Sequence, residues 1–325
     1  MMLKKALSLV ILIIASAQVF AEQAWQPYPE DLQSFNYTEQ DLAEHWQDLT
    51  DGFRGPLPTS ESLRADAERW PEMYDFTENH LQTIARSHPD LASLSEGELS
   101  NSFDAYAREL RRAWALLFNG QFREARDLGL ALGPAGYFPG LYAQSLYATL
   151  IESDEDTRRQ LLKEVITLTE DIMPMAPDHP MIRFGNAYGK ARILENLSAS
   201  EALGTGYTSE VIDTLEALLE DDPDNIYAVT LFGGVQSGII EKAGSLIARM
   251  TYGAKESSME DQFNKAMRLS PDYPGVYYEY ARAKMKIDEE KEALALLKKT
   301  EGMTAISAEE ALLLEASNRL RQSLE

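Results

Sequence analysis

The sequence predicts an all-α protein in which antiparallel helix pairs stack against one another. Apolar residues recur at helical spacing, as in the segment from Glu210 to Leu219, where one helix face is apolar. No stretch alternates apolar and polar residues in the way a half-buried strand does. A proline hinge between two helical segments occurs three times, at Pro177, Pro223 and Pro271, at intervals of 46 and 48 residues. Together these observations favour a helical repeat architecture.

The first 21 residues predict a secretory signal peptide. A short basic start precedes an apolar run from Ala6 to Val19, and Val19-Phe20-Ala21 suits a signal-peptidase site. The run is short for a membrane span, and without any cysteine the chain cannot carry a lipid-modified cysteine. We expect cleavage after Ala21 and a periplasmic protein. The alternatives are a cut after Ala17 and an uncleaved membrane anchor.

Residues 22–101 predict an irregular helical region. An extended lead-in containing Trp25 and two prolines comes first. Helices are expected at about 39–49, 61–69 and 77–87, because each segment is amphipathic and ends near glycine, proline or serine. The role of this region cannot be inferred from its composition.

Residues 102–325 predict the helical repeat domain. Helices are expected at 102–118 and 122–132, separated by Asn119-Gly120, and further pairs follow around the three hinges. Ten residues after each hinge proline stands a small residue, which allows two helices to approach closely: Ala187, Gly233 and Ala281. A last helix from Ser307 to Leu324, opened by a capping-box pattern, is expected to cap the array.

These spacings resemble the tetratricopeptide repeat (TPR). When Pro274 begins a unit, residues of the expected size occupy positions 4, 7, 8, 20 and 24 of the pattern: Tyr277, Tyr280, Ala281, Ala293 and Leu297. The resemblance covers about residues 102–300. It implies a TPR-like α-solenoid of antiparallel helix pairs with lengthened repeats and a C-terminal capping helix.

Two units exceed the 34-residue TPR period by about 12 and 14 residues. The inserts fall around 198–207 and 237–252 and are rich in glycine, alanine and serine. They are expected to lengthen a helix or to fold between the two helices of a unit. An exported chain with lengthened repeats resembles the TatT component associated with TRAP transporters, and equally other exported TPR proteins of Gram-negative bacteria.

The TPR resemblance also implies a binding surface. In TPR arrays the first helix of each unit lines the concave side. The matching positions give a candidate partner- or ligand-binding set: Met181, Phe184, Tyr188, Tyr227, Thr230, Ser237, Tyr278, Arg282 and Met285. Tyrosine and methionine provide adaptable contact area, and Arg282 could pair with a carboxylate. The alternative is that these side chains only pack between helices.

Composition narrows the class of function. The chain has 30 Lys and Arg against 53 Asp and Glu, a net charge of −23 at pH 7, which disfavours nucleic acid and anionic lipid surfaces as partners. The four histidines lack metal-ligand spacing, so no metal or other cofactor is expected. No spacing typical of nucleophilic or acid–base catalysis is present, so the chain is expected to be non-enzymatic.

Two functions remain open. In the first, the chain is an exported scaffold that binds a periplasmic or envelope protein, or a peptide, on its concave surface. In the second, it is a TatT-like accessory of a TRAP-type solute transport system that works with a solute-binding protein and binds a small apolar or anionic ligand. An enclosed apolar pocket under the inserts would favour the second function, and an open groove the first. A homo-oligomer is compatible with both, and an enzyme is a third possibility.

Overall fold

The computed structural model describes residues 25–52 and 54–325, and every regular element in that part of the chain is helical. The predicted all-α class is therefore confirmed. The predicted signal peptide, residues 1–21, lies outside the described residues. In chain order the α-helices are α1 (Leu42–Thr50), α2 (Ser60–Arg69), α3 (Pro71–Ile84), α4 (Phe103–Phe118), α5 (Phe122–Ala131), α6 (Tyr137–Leu146), α7 (Glu155–Ile172), α8 (Pro180–Glu195), α9 (Ala199–Thr205), α10 (Tyr207–Asp221), α11 (Ile226–Ala243), α12 (Ser245–Tyr252), α13 (Glu256–Leu269), α14 (Pro274–Met285), α15 (Glu290–Lys298) and α16 (Ala308–Leu324).

Helix starts follow from local chemistry. Pro71, Pro180 and Pro274 each occupy the first turn of a helix, where a missing N–H costs nothing. The side chain of Asn225 accepts a hydrogen bond from the backbone N–H of Ala228 at 3.1 Å and caps α11. The three predicted hinges therefore do separate helices. Helix α3 starts at Pro71, six residues before the predicted start at 77, because proline is pre-organised for a first helical turn.

Helices that follow one another along the chain pack together, as α7 does with α8 and α14 with α15. Contacts also form between helices that are separated by one or two others in the chain. Through these contacts, α4, α6, α8, α11, α14 and α16 form a row in which each helix contacts the next. Helix α16 contacts α4 as well, and this row, which we call the inner row, is a closed cycle of contacts.

One predicted small residue is required by this packing. A Cβ at Gly233 on α11 would lie 2.7 Å from the ring of Phe263 on α13, closer than real carbon atoms approach. Phe263 is fully buried and stacks on Tyr280 of α14 with ring centroids 4.6 Å apart. The glycine therefore lets α11 approach a stacked aromatic pair.

The residues before 102 share their hydrophobic cores with the later helices. One cluster joins Leu63, Trp70 and Met73 to side chains between Phe103 and Ile182. A second joins α1 and α4 to Leu312 on α16. Two hydrogen bonds extend this attachment, because Gln33 and Tyr37 donate to the carbonyl groups of Ala305 and Ile306 at 3.2 and 2.8 Å. The N-terminal region thus packs against α4 and α16, two neighbouring helices of the inner row.

Among residues 25–52 and 54–325, none of the helices is both long enough and apolar enough to cross a bilayer.

Candidate ligand-binding cavity

Five of the six helices of the inner row, all except α4, line a cavity of about 520 Å³. This volume lies within the range of about 300–1,000 Å³ that is usual for small-molecule sites. Its walls come from α6, α8, α11, α14 and α16 of the inner row and from the two short helices α9 and α12. Most of the lining side chains are apolar or aromatic, so the cavity is suited to a ligand with a substantial apolar part.

Both predicted inserts reach this cavity. The first forms α9, which begins at Ser198 with a reciprocal capping box. The second lengthens α11 to Ala243 and then forms α12. Helix α9 contributes Ala199, Ala202 and Leu203 to the lining, and helix α12 contributes Ile247, Thr251 and Tyr252. Leu203 and Ile247 are also exposed, so this apolar wall continues to the mouth of the cavity.

The nine candidate residues divide into two groups. Six line the cavity: Phe184, Tyr188, Tyr227, Thr230, Tyr278 and Arg282. The other three pack elsewhere. Met181 packs against the hydrophobic cluster that contains Trp46, and Met285 packs against the one that contains Phe263. Ser237 is fully buried, and its hydroxyl donates to the carbonyl of Gly234 at 2.8 Å. Whether the six contact a ligand stays a prediction.

Aromatic side chains form a continuous band along the cavity. The rings of Phe184 and Tyr188 lie 6.2 Å apart, those of Phe184 and Tyr227 6.4 Å, and those of Tyr227 and Tyr273 5.8 Å. Helix α6 ends in a π-helical turn, Tyr147–Ile151, whose Thr149 hydroxyl lies 3.3 Å from that of Tyr188. Wide turns of this kind are frequent at functional sites, and this one places Thr149 and Leu150 in the cavity wall.

At one place, which we call the floor, the cavity is lined by Glu309, whose carboxylate forms a buried ion pair with a distant part of the chain. Arg54, from the loop between α1 and α2, donates to Glu309 on α16 at 2.7 Å. Tyr273 donates to the same carboxylate at 2.8 Å, and Tyr142 also donates to it. The Arg54 guanidinium lies 4.5 and 4.6 Å from the ring centroids of Tyr142 and Tyr227. Burial disfavours the charged form of the Arg54 guanidinium. Glu309 and the three neighbouring tyrosines nevertheless hold the pKa of Arg54 well above its usual value.

The hydroxyl of Tyr227 is already used by the N-terminal region. It donates to the carboxylate of Asp51 at 3.3 Å, and the hydroxyl of Ser270 donates to the other oxygen of that carboxylate at 2.9 Å. Tyr227 therefore offers its ring to the cavity, while its hydroxyl helps to hold the chain that closes the floor. The sequence pattern did not indicate Asp51 or Arg54, because they lie in a glycine-rich loop with no repeat spacing.

One wall carries a group of five ionised side chains, which we call the charge cluster: Arg192, Glu195, Glu279, Arg282 and Lys286. Arg282 bridges α14 to α8 by donating to Glu195 at 2.8 Å, and Arg192 bridges in the opposite direction by donating to Glu279 at 2.6 Å. All five residues line the cavity.

Both carboxylates of the charge cluster are ionised. Burial alone would raise the pKa of Glu195, but Arg282, Arg192 and Lys286 together hold it well below its usual value. Burial also opposes ionisation of Glu279, and the two arginines again lower the pKa. Apart from Arg282, the cluster was missed in the sequence, because its partners are 87 residues apart and belong to no local motif.

His179 has a structural role. His179 precedes α8, and its ring lies between those of Trp70 and Phe138, at 4.2 and 4.4 Å. Burial lowers the pKa of His179 to about 3, so it is neutral. Across the part of the chain that the structure describes, no group of three or more acidic or histidine side chains could hold a metal ion.

Comparison with known proteins finds no family model and no curated protein that matches this chain. The resemblance to the TPR family and to TatT therefore stays a prediction.

Proposed function

We propose that this chain is an exported, TPR-like α-solenoid that binds a small, largely apolar molecule in its inner cavity, as an accessory of a solute transport system would. One observation carries the proposal. The two inserts, which are departures from a regular repeat, both supply lining to a single cavity of about 520 Å³. The helix pairs and the closed inner row support the solenoid architecture.

Cavity size and composition favour a small molecule over a folded partner. A stable protein interface needs about 800 Å² from each side, which a cavity of this size does not offer. An apolar ligand that leaves water gains about 25 cal/mol for each Å² buried. The aromatic band and the apolar residues of α9 and α12 supply the matching surface. The buried pair Arg54–Glu309 fixes the floor against which such a ligand would rest.

The experiment compares two glycine substitutions. A Cβ at Gly234 would meet no atom within 4 Å, and Gly234 lines the cavity, so Gly234→Leu fills cavity volume without displacing the backbone. Gly204 on α9 is equally open but exposed and outside the lining, so Gly204→Leu is the matched control. Binding of the neutral fluorescent probe N-phenyl-1-naphthylamine is measured by titration.

We expect saturable binding to the unmodified protein and to Gly204→Leu, and an affinity at least about tenfold lower for Gly234→Leu, since bulk in a preformed pocket removes ligand contacts. Circular dichroism confirms that each variant is folded. Equal affinity of the two variants for the probe, or no binding to the unmodified protein, would contradict a cavity-binding function.

A second candidate function is favoured by exposed apolar side chains on the insert helices. Leu203 on α9 and Leu246, Ile247 and Met250 on α12 are large apolar side chains that remain exposed. A periplasmic protein partner, such as a solute-binding protein, would cover them at the mouth of the cavity. Crosslinking in periplasmic extract should then capture the same partner with the unmodified protein and lose it with Met250→Glu.

A further inference from the structure

The cavity has a positively charged wall although the chain is strongly acidic. The charge cluster holds three cations and two carboxylates, in a protein whose net charge is −23. Next to it, the ammonium group of Lys242 donates to the backbone carbonyls of Glu195 and Leu197 at 3.2 and 2.6 Å. These carbonyls carry only partial charge, and the neighbouring Glu241, which also lines the cavity, offsets the charge of Lys242. The excess of one cation over the carboxylates of the charge cluster therefore remains.

Arg192 gives a second and independent indication. Its side chain is 10% exposed and lines the cavity, and both of its terminal nitrogens bond to carboxylates. Its Nε, in contrast, is buried without a hydrogen-bond partner among the described residues. A buried N–H without a partner costs about 1–3 kcal/mol, which an acceptor would recover if the Arg192 side chain shifted to turn this nitrogen toward the cavity.

We infer that the charge cluster binds the anionic end of the ligand, so that the preferred ligand is an amphipathic monoanion with a carboxylate group and an apolar tail. This inference rests on the proposed function. A single negative charge balances the excess of one cation over the carboxylates of the cluster. Arginine suits the task because its planar N–H groups match the geometry of a carboxylate.

The lining of the cavity combines the two kinds of surface that such a ligand requires. The charge cluster lies on α8, on α14 and on Lys286 directly after α14, whereas α9 and α12 contribute mainly apolar lining. Arg192 and Arg282 rest over the rings of Tyr188 and Tyr278, at 4.8 and 5.7 Å, which holds both guanidinium groups at the cavity wall. A carboxylate bound at the cluster would leave its tail against the aromatic band and the insert helices.

The first test varies only the head group of the ligand. Decanoate, 1-decanol and decylammonium share one tail, and each is titrated against the protein loaded with N-phenyl-1-naphthylamine. We expect the dissociation constant of decanoate, measured by displacement of the probe, to be at least about tenfold lower than that of decanol. Decylammonium should bind most weakly, because its positive charge is repelled by the cations of the cluster.

Failure of the inference and failure of the proposed function are distinguishable. If decanol and decanoate bind equally, the cavity binds apolar molecules and the anion site is wrong. If the probe and all three ligands fail to bind, the cavity-binding function is wrong together with the anion site.

The second test removes one cation while leaving the arginine pairs in place. Lys286 contacts Glu195 at 3.3 Å, the longest ion pair of the cluster, so Lys286→Gln disturbs the pairing least. We expect the ratio of decanoate to decanol affinity to fall about tenfold in Lys286→Gln and to recover in Lys286→Arg. The control is Lys163→Gln on α7, where the lysine is exposed and does not line the cavity. An unchanged ratio in Lys286→Gln, or an equal fall in Lys163→Gln, would overturn the anion site.

Discussion

Gly233 and Gly234 are neighbours on α11, but they face different surroundings. A Cβ on Gly233 would press into the ring of Phe263, which is itself fixed by stacking on Tyr280. A Cβ on Gly234 would enter open space. The effect of one methyl group at these two positions therefore separates the cost of overpacking from the gain in helix propensity.

We predict that Gly233→Ala lowers the free energy of unfolding by about 1–3 kcal/mol, because the overpacked core must shift. Gly234→Ala is the matched control and should raise it by about 0.5–1 kcal/mol, because alanine restricts the unfolded chain and favours the helix. Urea unfolding followed by circular dichroism measures both. A stabilising Gly233→Ala would show that the contact with Phe263 is not tight.

Glu310 is a buried carboxyl group in the first turn of α16. Burial raises its pKa to about 7, with further contributions from Glu309 and Asp51, while the Ile306 N–H and the Arg54 charge act in the opposite direction. Its ordinary value is 4.5. Since the native state binds this proton more tightly than the unfolded state, stability falls as the pH rises from about 4.5 to about 7.

Glu310→Gln should remove this pH dependence while keeping an acceptor for the Ile306 N–H. We predict that the free energy of unfolding of the variant, minus that of the unmodified protein, increases by up to about 3 kcal/mol as the pH rises from 5 to 8. Urea unfolding at a series of pH values measures it. Glu315→Gln, the same change at a more exposed place on α16, serves as the control. Parallel pH profiles for the Glu310 variant and the unmodified protein would contradict the buried-acid interpretation.

At the scale of elements, the loop between α1 and α2 is tied to α16 by Arg54 and Glu309, whose side chains are 3% and 4% exposed. Removing one partner leaves the other charge buried, whereas removing both leaves none. The pair therefore couples two elements more strongly than its net contribution to stability would suggest.

We predict that Glu309→Leu costs about 3–5 kcal/mol, because the guanidinium of Arg54 loses its carboxylate. Arg54→Met should also be destabilising, and the double variant should cost clearly less than the two single changes together. A double-mutant cycle by urea unfolding gives the coupling free energy. Additive costs would mean that the two residues act independently.

Several elements could be predicted from the sequence because their signals are local. The hinge prolines mark helix boundaries, and Ser307 caps α16 by accepting from the N–H of Glu310 at 3.3 Å. The two predicted inserts coincide with α9 and with the end of α11 followed by α12, whereas the repeat pattern that they interrupt stays a prediction. Their outcome, with α9 and α12 both reaching one cavity, depends on contacts between helices far apart in sequence and has no local signal.

The candidate site was predicted in part for the same reason. Phe184, Tyr188, Tyr278 and Arg282 follow from positions within a repeat unit, and all four line the cavity. Glu279 lies on the same helix as Tyr278 and Lys286 directly follows that helix, but their importance arises from partners on α8. A single sequence does not show which distant charges meet, so the charge cluster became visible only in the folded chain.

At the scale of the whole molecule, charge is distributed in two opposing ways. The net charge of −23 disfavours anionic surfaces and polymers at long range. The cavity wall formed by the charge cluster presents excess positive charge over a few ångströms, where screening by solvent is weak. The acidic surface is therefore compatible with the proposed binding of a small anion at the charge cluster.

The contact between Arg54 and Glu309 joins residues that are 255 positions apart in the chain. The cavity floor consequently cannot form until the last helix has been synthesised and has reached the first elements. Such a long closure is slow compared with local helix pairing, so the helical units can assemble before the floor exists. A chain that stops short of α16 could contain the preceding helices and still lack the floor of the cavity. The proposed ability to bind a ligand would thus be acquired only after α16 has been synthesised and has docked.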